Sequence, residues 1–118
     1  MKVLIIFNRE PYDHTDVTWN GLRLAKTLHQ KGHTLNLFLM NDAVDLARDL
    51  CKPPEGYDQD LSQMLKELIK EGVSVKVCGS CMARCGIYRN QPYFAGAAAS
   101  TMAELSDWVI DSDRVMTF

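Results

Sequence analysis

Three of the four cysteines fall within a single short segment, Cys78-Gly79-Ser80-Cys81 followed by Cys85. Thiols attack electrophilic sulfur as thiolates, so the question is what lowers their pKa. The stretch Val73 to Val77 reads as a strand and leads directly into Cys78, which therefore stands where a strand stops. Gly79 permits a tight turn, and Ser80 is suited to cap a short helix over Cys81 to Cys85 that Gly86 ends. A thiol at such a helix start faces unpaired N–H groups, and Arg84 adds positive charge if it folds back.

The spacing Cys78-x-x-Cys81 is that of a dithiol pair, in which one thiolate attacks and the other resolves the product. Cys81 and Cys85 share a helical face but are poorly placed for a disulfide, so any disulfide is expected between Cys78 and Cys81. Three thiols could also ligate zinc or an iron–sulfur cluster, but no fourth ligand is local. His14, His29 and His33 would serve only if the fold brought one close, and no metal is expected. Isolated Cys51 reads as a small buried hydrophobe.

The rest of the chain narrows the partner classes. With 118 residues, 47% hydrophobic content and 24% charge, the composition is that of one folded domain spanning 1–118. A net charge of −2, with no basic run, gives no field for a nucleic-acid backbone or an anionic membrane. The apolar run Val3 to Phe7 is too short to span a bilayer and lacks a cleavage site, so a cytoplasmic protein is expected. No G-x-G-x-x-G, Walker A or G-x-S-x-G pattern occurs, and the loop Asn8 to Tyr12 lacks the small residues a flavin phosphate needs. No cofactor is expected.

The elements that must position the thiols follow from periodicity. Lys2 to Asn8 and Thr34 to Met40 read as buried strands, and Val73 to Val77 as a third. Thr15 or Asp16 can cap a helix with Trp19, Leu22, Ala25 and Leu28 inward, ending near Gly32. Asp42 is expected to cap a shorter helical stretch holding Val44, Leu46, Ala47 and Leu50. Leu61, Met64, Leu65, Leu68 and Ile69 mark a helix laid on a sheet and ended by Gly72. A fourth strand is expected around Tyr93 and Phe94. Ser100 or Thr101 opens a last helix with Met102, Leu105 and Val109 inward, and Arg114 to Phe118 forms the final strand.

Alternating strands and helices predict an α/β protein with a parallel sheet covered on both faces, its ligands beyond the strand carboxyl ends. Cys78 stands at that edge, and so does the loop Asn8 to His14, where Arg9 and Tyr12 can shape a pocket.

Several segments together resemble the DsrE/DsrF-like family of sulfur-relay proteins, which includes the TusD-type sulfurtransferase subunits. They are Lys2 to Ile6, Gly21-Leu22-Arg23-Leu24-Ala25, Gly32-His33, Phe38 to Val44, Cys78 to Arg84 and Asp113-Arg114-Val115. The resemblance implies a three-layer, flavodoxin-like (DsrE-like) fold with a mostly parallel sheet of about five strands. It also implies assembly as homotrimers or homohexamers, and a cysteine, Cys78 by position, that carries sulfane sulfur as a persulfide between donor and acceptor proteins. TusD-type members resemble single-cysteine carriers, whereas this chain adds Cys81 and Cys85. Two other readings stay open: a thiol–disulfide oxidoreductase or redox sensor using Cys78 and Cys81, and a non-catalytic oligomeric docking subunit.

Overall fold

Hydrophobic periodicity and turn residues divide the chain into alternating strands and helices, seen here in a computed structural model describing residues 1–48, 51–84 and 95–118. They run β1 (Lys2–Phe7), α1 (Val17–Gln30), β2 (Thr34–Leu39), a 3₁₀ helix (Asn41–Ala47), α2 (Leu61–Lys70), β3 (Ser74–Cys78), α3 (Gly79–Arg84), β4 (Ala97–Ser100), α4 (Met102–Asp111) and β5 (Arg114–Thr117). All four strand pairings are parallel, in the order β4-β3-β2-β1-β5. The chain thus steps across the sheet from β1 to β4, then returns to place β5 on the free side of β1.

Side-chain alternation shows why this is a three-layer arrangement. Phe7 points toward α1, where a Cβ added to Gly21 would lie 2.5 Å from its ring. Phe38 packs edge-on against Trp108 of α4, with ring centroids 6.3 Å apart. Phe38 pairs with Ile6, and Phe7 with Leu39. Neighbours on one strand point to opposite faces, so α1 and α4 lie on opposite sides of the sheet. The absent side chain at Gly21 lets α1 approach the Phe7–Phe118 stack closely.

The core is what continuous apolar strands dictate: Val3, Leu4, Ile5, Phe7, Leu35, Leu37, Phe38, Leu39, Val75 and Val77 are buried, joined by Leu22, Ala25, Leu61, Leu65 and Leu68 from α1 and α2. Asp60 caps α2 by accepting the Gln63 N–H at 3.0 Å, and Gly72, at φ +99°, ends the turn after it.

Some expected details differ. The fourth strand forms in the small-residue run, Ala97–Ser100, while Tyr93 and Phe94 lie outside the described residues. Alanine has little strand preference, but edge pairing with β3 decides the conformation. The stretch after β2 is a 3₁₀ helix whose N-cap is Met40 rather than Asp42, because the chain turns one residue earlier at Asn41, φ +53°; Leu50 lies outside the described residues. Asp16 occupies the N-cap of α1 without a side-chain capping bond, and Thr15 Oγ1 instead accepts the Val17 N–H at 3.4 Å. On α4 only Leu105 is fully buried, and Met102 and Val109 are exposed. Thr101 does cap α4, accepting the Glu104 N–H at 3.2 Å.

Candidate functional site: a thiol pair at the carboxyl edge of the sheet

Cys78 is the last residue of β3, and Gly79 begins α3 with no linking loop. A Cβ at Gly79 would stand 3.1 Å from the Ser100 carbonyl oxygen, so the glycine lets α3 start directly against β4. That abrupt change of direction folds the first turn of α3 over the Cys78 sulfur. The Cys81 main-chain N–H donates to Cys78 Sγ at 3.4 Å, and Ser80 Oγ lies 3.3 Å from the same sulfur. Ser80 was expected to cap the helix from outside; it sits within α3 instead and turns its hydroxyl to the thiol.

Cys78 is only 6% exposed, and burial, the largest single influence, pushes its pKa up. Hydrogen bonds from the Cys81 and Ser80 side chains and from both main-chain N–H groups outweigh it, leaving the thiol below its ordinary value. The result is a sheltered, thiolate-prone sulfur with a second thiol within hydrogen-bonding reach. Cys81 is half-buried, and its sulfur accepts the Asn41 N–H at 3.3 Å.

Cys78, Gly79, Ser80 and Cys81 therefore come together. Arg84 is the last residue of α3, and Cys85 lies outside the described residues. Tyr12 and Arg9 are engaged elsewhere: the Tyr12 hydroxyl accepts the Leu61 N–H at 3.0 Å, and Arg9 Nε pairs with Asp13 Oδ2 at 2.9 Å. Tyr12 also packs edge-on against Tyr57, with centroids 5.6 Å apart, tying the loop after β1 to the start of α2. Among the described residues no three His, Cys, Asp or Glu side chains converge as metal ligands. His33 instead meets the N-terminal amine through Nδ1 at 3.1 Å.

Residues outside the thiol segment complete the site. Asn8 and Asn41, just past β1 and β2, join through Asn41 Nδ2 and Asn8 Oδ1 at 3.0 Å. The signal for them in sequence is weak, an Asn directly after or near the end of each of two adjacent strands. Ser100, the register partner of Cys78, donates to Glu104 Oε1 at 2.8 Å, and Lys76 Nζ reaches Glu104 Oε2 at 3.1 Å. These bonds anchor the first turn of α4 to the β3–β4 edge beside Cys78. The ion pair itself is screened by solvent and adds little to stability.

Cys51 is shifted the opposite way from Cys78. Burial, reinforced by the Asp45 carboxylate, pushes it up to about 11, and burial pushes Tyr12 up to about 12. In both cases the fold favours the neutral form. The stability this confers is fully present below the unfolded-chain values of 9.0 and 10.0 and is lost as pH rises toward the folded ones. Cys78, shifted the other way, contributes its gain by about pH 9 and adds no slope beyond it. Urea unfolding midpoints should therefore fall between about pH 9 and pH 12, and Cys51→Ala should flatten the part below about pH 11. Identical slopes in the two proteins would show that Cys51 ionises freely in the folded state.

A three-layer α/β chain with an all-parallel five-stranded sheet and a thiol pair at its carboxyl edge defines a small cysteine-bearing protein of the doubly covered sheet class. The chain belongs to the DsrE/DsrF-like family, whose model matches residues 1–118. It is 38% identical to Escherichia coli protein YchN, covering 99% of this chain and 98% of that protein. An uncharacterised protein of Methanocaldococcus jannaschii, MJ0989, is 33% identical and covered in full on both sides. The crystal structure of the Escherichia coli YchN protein superposes with a TM-score of 0.88 over 100% of this chain and 99% of that one. A protein of unknown function from Methanobacterium thermoautotrophicum, MTH1491, shares the fold at a TM-score of 0.76 and 12% identity, covering 99% of this chain and 98% of its own. Among the described residues no helix is long and apolar enough to cross a membrane.

Proposed function

We propose that this protein is a cytoplasmic sulfur-relay protein, a sulfurtransferase that carries sulfane sulfur as a persulfide on Cys78. The observation that carries the reading is the set of donors converging on the Cys78 sulfur, which favour a thiolate in a site too sheltered for general thiol chemistry. In the loading step the Cys78 thiolate attacks the outer sulfur of a donor persulfide. A bond forms between the two sulfurs, the donor's sulfur–sulfur bond breaks, and its electron pair leaves on the donor thiolate. An acceptor thiolate repeats the exchange, so the outer sulfur passes on with no external oxidant or reductant.

Whole-protein mass measurement after incubation with a cysteine desulfurase and cysteine tests this directly. The contact between Cys81 and Cys78 favours a second reading, a dithiol redox pair; a protein that cycles between dithiol and disulfide yet takes up no sulfur would establish that one instead.

Self-association is part of the proposal. Met102, Val109 and Ile110 fall on one flank of α4 and are exposed, Ile110 by 80%, and Val115 of neighbouring β5 is exposed as well. Large apolar side chains gathered on one helix and an edge strand are the chemistry of a homo-oligomer contact, here read as a homotrimer or homohexamer. Ile110→Glu should lower the mass measured by sedimentation while leaving the circular dichroism spectrum unchanged. An unaltered mass in a well-folded variant would remove α4 from the interface.

A further inference from the structure

Asn41 holds a conformation that most residues avoid. At φ +53° it lies in the left-handed region, which is unfavourable for an L-residue and which Asn tolerates better than most. Two bonds hold it there. Its side-chain amide donates to Asn8 Oδ1 at 3.0 Å, tying the turn after β2 to the end of β1. Its main-chain N–H, at the first position of the 3₁₀ helix where no carbonyl within the helix can accept it, donates to Cys81 Sγ at 3.3 Å.

We infer that Asn41 is a positioning residue for Cys81: its left-handed turn, pinned by Asn8, aims a main-chain N–H at the Cys81 sulfur and favours the thiolate there. The use of that thiolate rests on the persulfide reading; the bond that creates it does not. With Cys78 loaded and the Cys81 proton given up to water, the Cys81 sulfur attacks Cys78 Sγ. A Cys81–Cys78 bond forms, the bond from Cys78 Sγ to the outer sulfur breaks, and that sulfur leaves with the electron pair as hydrosulfide. Cys81 is oxidised, the outer sulfur is reduced, and an external thiol later restores the dithiol.

Among the described residues, β3, the 3₁₀ helix and, at Gly79, β4 pack on α3. Their titratable groups are Cys78 and Lys76, and Asp42 and Asp45. Lys76 is held by Glu104 at 3.1 Å, and Cys78 lies against Cys81 itself, its sulfur accepting the Cys81 N–H.

The test is the pH profile of iodoacetamide alkylation at Cys81, read by peptide mapping on unloaded protein. Asn41→Val disfavours the left-handed turn and swings the N–H away, whereas Asn41→Gly adopts φ +53° freely and keeps the N–H in place. The Val variant should alkylate about tenfold more slowly at neutral pH, with its midpoint displaced upward by about one pH unit. The Gly variant should stay within about threefold of wild type, with buried Cys51 slow to label in both. An unchanged Cys81 profile in a Val variant that still protects Cys51 overturns the assignment, as does a Gly variant slowed as far as Val. If Val exposes Cys51, Asn8→Ala is read in its place; it loosens the turn without touching the N–H, must slow Cys81, and overturns the assignment if it does not. Sulfur uptake on Cys78 is measured separately, so failure of the persulfide reading leaves the alkylation result intact.

Discussion

Incubated with a cysteine desulfurase and cysteine, the wild-type protein will gain one sulfur atom per chain and Cys78→Ser will gain none. The expected effect is complete because the substitution removes the only kind of atom that can do the work. A serine hydroxyl is un-ionised near neutral pH and forms no persulfide, whereas a thiol held below its ordinary pKa supplies more thiolate than an ordinary cysteine does. The fold is expected to survive, since serine matches cysteine in size and the Ser80 hydroxyl and the Cys81 N–H surround it with partners. Cys51→Ser is the internal control and should load like wild type, its own thiol being buried and pushed up to about 11. Equal loading of Cys78→Ser and wild type would sink the persulfide-carrier reading, whichever other thiol took the sulfur.

Cys78 could be singled out from sequence because its position is built from local signals alone. Valines at alternate positions 73, 75 and 77, then a cysteine and a glycine, predict a strand end and a turn wherever the rest of the chain lies. The same holds for α2, whose apolar spacing, Asp60 cap and Gly72 stop are all within one segment. Features decided by distant contacts were not legible. Ala97–Ser100 pairs with β3 despite its alanines, and Met102 and Val109 stay exposed on α4. Tyr12 illustrates the same limit within the site. A tyrosine in a loop at the active edge of the sheet is a reasonable pocket residue, yet its hydroxyl is taken by the first N–H of α2. Conversely, nothing local marks Asn41, whose meaning depends on Asn8 from 33 residues earlier and on Cys81 from 40 residues later.

Cys81→Ser should separate two steps that Cys78→Ser abolishes together: the variant will load sulfur but release little or no sulfide, and it will form no disulfide with Cys78. Loading should persist because the main-chain N–H of residue 81, 3.4 Å from Cys78 Sγ, is unaffected, and a serine hydroxyl can donate to that sulfur as the thiol does. Release should fail because a neutral hydroxyl cannot attack the inner sulfur of a persulfide, so the outer sulfur waits for an external acceptor thiol. Mass measurement follows loading, and sulfide assay after removal of the donor follows release, the wild type serving as reference for both. The wild type should end with Cys78 joined to Cys81; recovery of Cys81 joined to Cys85 by peptide mapping would contradict the pairing. If Cys81→Ser loses uptake as completely as Cys78→Ser, the two sulfurs work as one redox unit and the dithiol reading replaces the carrier. If it instead loads and releases at the wild-type rate, Cys81 has no part in discharge, and the site passes sulfur only to an incoming thiolate. The three outcomes differ because the donor geometry at Cys78 and the nucleophile at Cys81 come from different atoms of the same residue, its main-chain nitrogen and its sulfur.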